Sequence, residues 1–199
     1  MAISYPLSLP NQTSIRSINF AAVNAVAYSR SPFTFAGQAQ TYAGQMWQAD
    51  ISLKPMRRAD AEEWVAWLLS LRGQHGTFLL SDPVSNSIRG TATAATISGS
   101  AGDQTVTATV TSGDTLLAGD FIQLGTGSDA TLHKVLADYT GTGSGADLEI
   151  WPALRKDRSS VSADLTSAAG LFRLASNETT YSVSQLAVYG ISFGAMEAV

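Results

Sequence analysis

The residues of this chain that could do acid–base chemistry are three carboxylates around a glycine-rich stretch. Asp138, Asp147 and Glu149 could approach one another across a hairpin, and paired carboxylates can act as general acid and base in glycoside hydrolysis. The same residue types are also common in turns and on the polar faces of strands. We favour this second interpretation, with Glu149 on the polar face of its strand, opposite Ile150.

The two histidines and the glycine-rich stretch indicate no further catalytic group. His75 and His133 belong to different segments, so a metal site would need both of them together with carboxylates from elsewhere. The sequence contains neither a Gly-x-x-x-x-Gly-Lys loop nor a His-Glu-x-x-His helix. Residues 141–145 lie between two predicted strands, as a hairpin tip does, whereas a phosphate cradle joins a strand to a helix. We therefore predict no catalytic residue, no metal, no cofactor and no enzymatic activity.

Five other residues are candidates for contact with a ligand or a neighbouring subunit: Trp151, Tyr139, Phe121, Arg155 and Arg158. The three aromatic residues are those that residues 90–169 offer for contact with a glycan. Trp151 is either an exposed ligand platform or a wedge against the rest of the protein, and the wedge is favoured because large aromatic side chains are usually buried. The two arginines either meet a carboxylate of another subunit or lie in a solvated loop, and the sequence leaves both options open.

The composition indicates a surface that is largely covered by neighbours. Hydrophobic residues make up 45% of the 199 residues and charged residues only 14%, against about 25% charged in an average globular chain. With so few charges, a lone monomer would be poorly protected against association of its strand edges. The net charge of −4 and the lack of any long basic run exclude nucleic acid as the main ligand.

The lack of cysteine and of long apolar stretches in the sequence indicates the cellular setting. The sequence has no cysteine, which excludes disulfides and thiolate metal sites and suits assembly in a reducing cytoplasm. We expect neither a signal peptide nor membrane insertion, because no apolar stretch approaches the length of a membrane span.

The candidate residues lie among predicted strands. Residues 14–30 are predicted as two extended segments, and Pro32 separates them from a next strand that begins with Phe33 and Phe35. Between residues 47 and 53 every second residue is apolar, which predicts a half-buried strand. A short buried strand is predicted at residues 77–80, another strand at residues 171–174 and a long alternating strand at residues 181–193.

One helix is predicted at about residues 60–72. Asp60 and Glu63 have the spacing of a capping box. The following apolar residues recur at helical spacing and predict a stripe that packs on a sheet: Trp64, Trp67, Leu68 and Leu71. Arg72 and Gly73 supply a basic last turn and a left-handed stop.

An insertion interrupts this scaffold. Residues 90–169 are rich in Thr, Ala, Gly and Ser, with five or so short strands and no helical stripe. This pattern predicts a small β-barrel of OB type, inserted into a scaffold formed by residues 1–89 and 170–199. The predicted fold class is mainly β. An insertion of this length is tolerated because the cost of closing a loop grows only with the logarithm of its length.

The order of the motifs resembles that of a known family. In the scaffold the motifs are Phe33-x-Phe35, Gly37-Gln38, residues 44–53, residues 59–73, Phe78 and Asp82-Pro83. In the insertion and just after it they are Leu117-Ala-Gly-Asp120, Phe121-Ile-Gln-Leu124, residues 134–138, residues 150–155 and Phe172-Arg-Leu174. Over most of the chain they resemble minor tail proteins of long-tailed, non-contractile bacteriophages, and are similar to the distal tail proteins among them.

The resemblance implies a β-sandwich belt domain with one helix, and an outward-facing extra module of OB or galectin-like type, which would be the insertion. It implies that six copies form a ring around a central channel for DNA, joining the tail tube to the hub or baseplate at the tail tip. The expected location is the virion, assembled in the host cytoplasm. The expected partners are further copies of the chain, the tail tube protein and hub proteins.

Two further expectations accompany the resemblance. The insertion could alternatively act as an accessory module that binds a cell-surface glycan or receptor. The net negative charge is compatible with a channel wall along which DNA slides without sticking. Asp50, Glu62 and Glu178 are candidates for that wall because they lie on predicted polar faces or in turns.

Overall fold

The computed structural model describes residues 3–185 and 187–199. Before the insertion the chain forms β1 (Ile15–Arg30), β2 (Gly37–Leu53), β3 (Met56–Arg57), α1 (Arg58–Ser70) and β4 (Thr77–Ser81). The insertion forms β5 (Ala95–Gly99), β6 (Thr105–Val110), β7 (Thr115–Leu116), β8 (Phe121–Leu124), β9 (Thr131–Val135), β10 (Tyr139–Thr140), β11 (Ala146–Trp151) and β12 (Arg158–Asp164). After it come β13 (Ala169–Leu174), β14 (Tyr181–Val183) and β15 (Val188–Glu197). Short 3-10 helices occupy Gln12–Ser14, Gly73–His75 and Gly127–Asp129.

The scaffold strands form one antiparallel sheet. Its order is β1-β2-β15-β13-β4, and β3 and β14 also pair with β15. The predicted single strand at residues 181–193 is wrong, because β14 and β15 form a hairpin in which Tyr181 lies opposite Ile191. Leu186, within that predicted run, lies outside the described residues.

The insertion leaves and re-enters the sheet at neighbouring positions. Strand β4 ends at Ser81, and Ser81 pairs with Ala169, the first residue of β13. The two ends of the insertion therefore start from adjacent strands. This geometry lets the barrel be accommodated without separating the strands that flank it.

Helix α1 covers the sheet with the predicted apolar stripe. Trp64, Trp67, Leu68 and Leu71 are all buried, and the Trp67 ring meets Phe78 edge-on at 5.0 Å between centroids. The helix begins at Arg58, earlier than expected, and no side chain caps it. The capping-box prediction is wrong because β3, held by its pairing with β15, runs directly into the helix, so its first turn is already formed at Asp60.

The first hairpin is longer than its sequence predicts. Strand β1 is one continuous strand and not two segments. Phe33 and Phe35 lie in the connection between β1 and β2 and do not begin a strand. Phe35 has a left-handed backbone conformation with φ of 59°, and the guanidinium of Arg30 lies 4.6 Å from the centre of its ring.

The insertion folds into a closed barrel whose strand order is β11-β6-β5-β12-β8-β9. All neighbouring pairs of this barrel are antiparallel, and it has one strand more than the five or so expected. Strands β7 and β10 pair beside it. Alternate residues of β6 point inward, where Val106, Ala108 and Val110 are buried. The mainly β fold with a small inserted barrel is thus confirmed. No described helix has the length and hydropathy needed to cross a membrane.

His133 is a completely buried side chain on β9. Its Nδ1 lies 2.7 Å from the carbonyl oxygen of Pro152 and must donate to it, because a carbonyl can only accept. Nε2 is then unprotonated and faces the hydroxyl of Thr131 at 2.9 Å. The pKa of His133 is lowered from 6.5 to about 4, chiefly by burial and also by the charges of Arg155 and Arg158, while the hydrogen bond to Pro152 acts in the opposite direction.

The His133 environment predicts a loss of stability in mild acid. The unfolded chain takes up a proton near pH 6.5 and the folded chain only near pH 4, so stability falls as the pH drops through this window. Between pH 7 and pH 5 we expect a loss of about 2 kcal/mol in the free energy of unfolding, measured by urea denaturation. His133→Gln removes most of this difference, whereas His75→Gln, on an exposed residue, keeps it. Equal stability of the unmodified protein at both pH values would contradict the assignment.

Candidate assembly surface

The first hairpin extends beyond the sheet as an arm, which we define as residues 24–45. Strand β1 is the outermost strand of the sheet, and the pairing of β2 with β15 stops at Gln48. The two arm strands therefore pair only with each other. Among the described residues, no hydrogen bond, ion pair or ring contact joins residues 26–43 to a part of the chain outside the arm.

The arm carries a concentration of exposed apolar side chains. Val26, Tyr28, Phe33, Phe35 and Tyr42 are all more than half exposed, and Phe33 is 92% exposed. Arg30 is the only charged residue in this segment. Natural proteins usually protect free strand edges with charges, prolines or short strands. An arm with free edges and apolar side chains therefore has the character of a surface that another chain covers.

The arm begins at a defined position in the hairpin. Asn24 lies opposite Gln45, and a β-bulge follows before Val26 pairs with Thr41. A Cβ atom on Gly44 would lie only 3.0 Å from that of Ala25, so glycine allows the two strands to approach closely there. The bulge is the point where the ribbon can change direction.

The three candidate aromatic residues of the insertion all serve the fold. Phe121 is buried against Trp47, with 5.8 Å between ring centroids. Tyr139 is buried, its hydroxyl donates to the carbonyl of Ala108 at 2.7 Å, and burial raises its pKa. Trp151 meets Trp47 edge-on at 4.4 Å, and its indole N–H donates to Asn24. The wedge interpretation of Trp151 is confirmed.

The two candidate arginines find their carboxylates within the same chain. Arg155 binds Glu197 through Nη2 at 2.6 Å and Nε at 3.2 Å, and both side chains are nearly buried. Arg158 binds Asp129 at 2.5 Å, and Lys156 binds the same carboxylate. These hydrogen bonds, that of Lys156 first, lower the pKa of Asp129. The solvated-loop alternative is therefore wrong for these two largely buried guanidinium groups, and a contact with a carboxylate of another subunit stays a prediction.

Two of the three carboxylates near the glycine-rich tip have separate hydrogen-bond partners. Asp138 accepts from the backbone N–H of Ala118, and Glu149 accepts from the hydroxyl of Thr105. Glu149 is exposed and Ile150 is buried, as predicted. Asp147 lies inside β11 opposite Thr107, not in a turn. In the described part of the chain, no group of three His, Asp or Glu side chains is arranged to hold a metal.

Residues 190–194 match the Gly-x-Ser-x-Gly spacing of serine hydrolases. The nucleophile of that motif sits on a sharp turn between a strand and a helix. Here the five residues lie within β15, where Ser192 pairs with Ser52 of β2. The spacing is therefore a feature of an extended strand and provides no nucleophile elbow.

The candidate functional feature that sequence reasoning missed is the arm. Its signal was present as five large apolar residues and one charge between residues 24 and 45, without the strict alternation of a half-buried strand. No protein-family model matches the sequence, and no curated protein matches it. Fold and surface together define a mainly β chain with an inserted barrel and an exposed, apolar hairpin arm.

The position of Trp151 predicts a structural cost for its removal. Trp151→Ala leaves a gap against Trp47 and removes the hydrogen bond to Asn24, so we expect a loss of about 3 kcal/mol in the free energy of unfolding, measured by chemical denaturation. The matched control is Tyr42→Ala, on an aromatic residue that is 61% exposed on the arm, with an expected change within about 0.5 kcal/mol. Equal stability of the two variants would show that Trp151 is not a wedge.

Proposed function

We propose that this chain is a structural virion protein of a bacteriophage tail tip. In this proposal six copies form a ring that joins the tail tube to the hub, with a central channel for DNA and without catalytic turnover. The resemblance to distal tail proteins supplies the setting and the number of copies. The observation that carries an assembly role is the exposed apolar arm.

The arm offers a large part of the apolar surface that a specific interface needs. A fully buried aromatic side chain contributes about 150–250 Å², and four arm aromatics are between 61% and 92% exposed. Together they present roughly 500 Å² of aromatic surface, against about 800 Å² per partner in a standard interface. The free backbone edges of the arm add hydrogen-bonding capacity to this surface.

An arm also favours the kind of interface that closes a ring. A projecting hairpin that binds a different surface on the next copy makes a heterologous contact. Heterologous contacts generate closed rings when the rotation between neighbours divides a full turn. The low charge of the arm suits a contact that is buried permanently, since charged residues are depleted in interface cores.

The proposed channel needs an acidic or neutral wall. Asp50 and Glu178 are exposed and remain candidates. Glu62 is a weaker candidate because its carboxylate is occupied by Arg58 at 3.3 Å and lies 3.4 Å from the hydroxyl of Tyr189. A glycan-binding role for the insertion receives less support, because Phe121 and Tyr139 are buried and Trp151 packs against Trp47.

Ring formation is expected to depend on the arm. Replacing Phe33 and Tyr28 together by Ser removes two exposed aromatic anchors, and we expect the association constant to fall about tenfold or more. Sedimentation velocity over a range of concentrations measures the loss. Val84→Ser is the matched control, because Val84 is 86% exposed in a loop away from the arm. Unchanged assembly of the double variant, or an unmodified protein that is monomeric and does not bind tube protein, would reject the proposal.

The location in the particle is a separate expectation. Electron microscopy of intact particles, with a label directed against this chain, is expected to show one narrow band where the tail tube meets the tip. Averages of that band should show sixfold symmetry. A label elsewhere on the particle, or a different symmetry, would reject the distal-tail assignment.

A further inference from the structure

The base of the arm is held by the inserted barrel. Three hydrogen bonds connect them: the indole N–H of Trp151 donates to Oδ1 of Asn24 at 2.8 Å, the backbone N–H of Ala153 donates to Oε1 of Gln45 at 2.8 Å, and Nη2 of Arg155 donates to the carbonyl oxygen of Gln45 at 2.7 Å. The donors lie within residues 151–155, a segment that begins with the last residue of β11. The acceptors are the two residues that face each other in the last rung before the bulge.

The barrel segment is itself anchored to the sheet. Arg155 binds Glu197 at the end of β15. Oε2 of Glu197 accepts from Nη2 of Arg155 and also from the backbone N–H of Trp47, at 3.0 Å. The indole N–H of Trp47 in turn donates to the carbonyl of Leu132 in β9 at 3.0 Å. The contacts to the arm therefore belong to a closed network that includes β2, β9 and β15.

Within residues 3–185 and 187–199, no other hydrogen bond or ion pair joins the arm to the inserted barrel. Beyond the bulge the arm is a two-stranded ribbon, and a two-stranded hairpin is marginally stable alone in water. Its direction relative to the sheet is therefore determined at the Asn24–Gln45 rung. We infer that the inserted barrel is a brace: residues 151–155 hold this rung and thereby set the direction in which the arm leaves the sheet.

The inference assigns a positioning role to residues that do not lie on the arm surface itself. Asn24, Gln45 and Trp151 fix where Phe33 and its neighbours are presented, and a preorganised arm loses less conformational freedom when it binds. The consequence for ring assembly rests on the proposed function. The bracing itself does not, and it is measurable in the monomer.

The absence of cysteine from the sequence makes the test direct. Gln38→Cys on the arm and Glu63→Cys on α1 are both exposed positions and accept spin labels. Pulsed electron paramagnetic resonance then measures the distribution of distances between arm and helix. Asn24→Ala with Gln45→Ala is expected to broaden or shift this distribution. Gln40→Ala changes the same residue type on the same strand beyond the bulge and is expected to leave it unchanged.

Trp151→Phe provides a second, milder variant. It keeps an aromatic ring against Trp47 but removes the N–H donor to Asn24 and part of the ring system, so it reports on the brace even if the double alanine variant does not fold. If both variants fold and their distance distributions match that of the unmodified protein, the inference is overturned. If only Trp151→Phe folds, a matching distribution in that variant overturns it. A broadened distribution with unchanged ring assembly would support the brace and reject the proposed role of the arm in assembly. A broadened distribution with about tenfold weaker assembly would support both.

Discussion

The edge-on contact between Trp47 and Trp151 is the interaction on which the arrangement of this protein depends. Trp47 is in the strand that continues into the arm, and Trp151 ends a strand of the barrel. Phe121 and Leu132, from the outer face of the barrel, are buried in the same cluster as Trp47 and Phe172 of the sheet. Sheet and barrel therefore share one apolar core, and aromatic side chains dominate its burial.

Ionic contacts give this shared core a defined geometry. The buried pair of Arg155 and Glu197 joins barrel and sheet. A planar guanidinium that makes two hydrogen bonds to one carboxylate fixes both the distance and the orientation of the two groups. Such pairs add little net stability, but removal of one partner is costly because the other charge stays buried.

Asp120 plays a comparable part where the insertion begins. Burial alone would raise its pKa, but the N–H groups of Arg89, Leu117 and Gly90 lower it overall, so the ionised carboxylate fixes the entry of the chain into the barrel.

The local spacing of apolar residues was sufficient to predict the elements that bury one regular face. The alternation around Trp47 and the stripe of Trp64 and Leu68 predicted a strand and a helix, because one face of each element meets the core. The arm escaped prediction since residues 24–45 meet no core, so burial imposes no alternation on them. The partners of Arg155 and Trp151 also escaped prediction. Glu197 and Asn24 lie 42 and 127 residues away in the sequence, and only the closing of the barrel onto the sheet brings them together.

The energetic relation between arm and barrel follows from this arrangement. Ordering a backbone costs about 1–2 kcal/mol per residue, and the arm recovers little of that cost by burial because its large side chains are exposed. A two-stranded ribbon of this kind keeps the pairing between its strands more readily than its orientation relative to the sheet. This orientation depends on one pair of residues, Asn24 and Gln45, beside the bulge. The barrel holds that rung through groups that are already ordered by the core around Trp47. The insertion thus fixes the orientation of the arm, which has no fixed orientation by itself. Because the insertion joins the adjacent strands β4 and β13, it does so without disturbing the sheet.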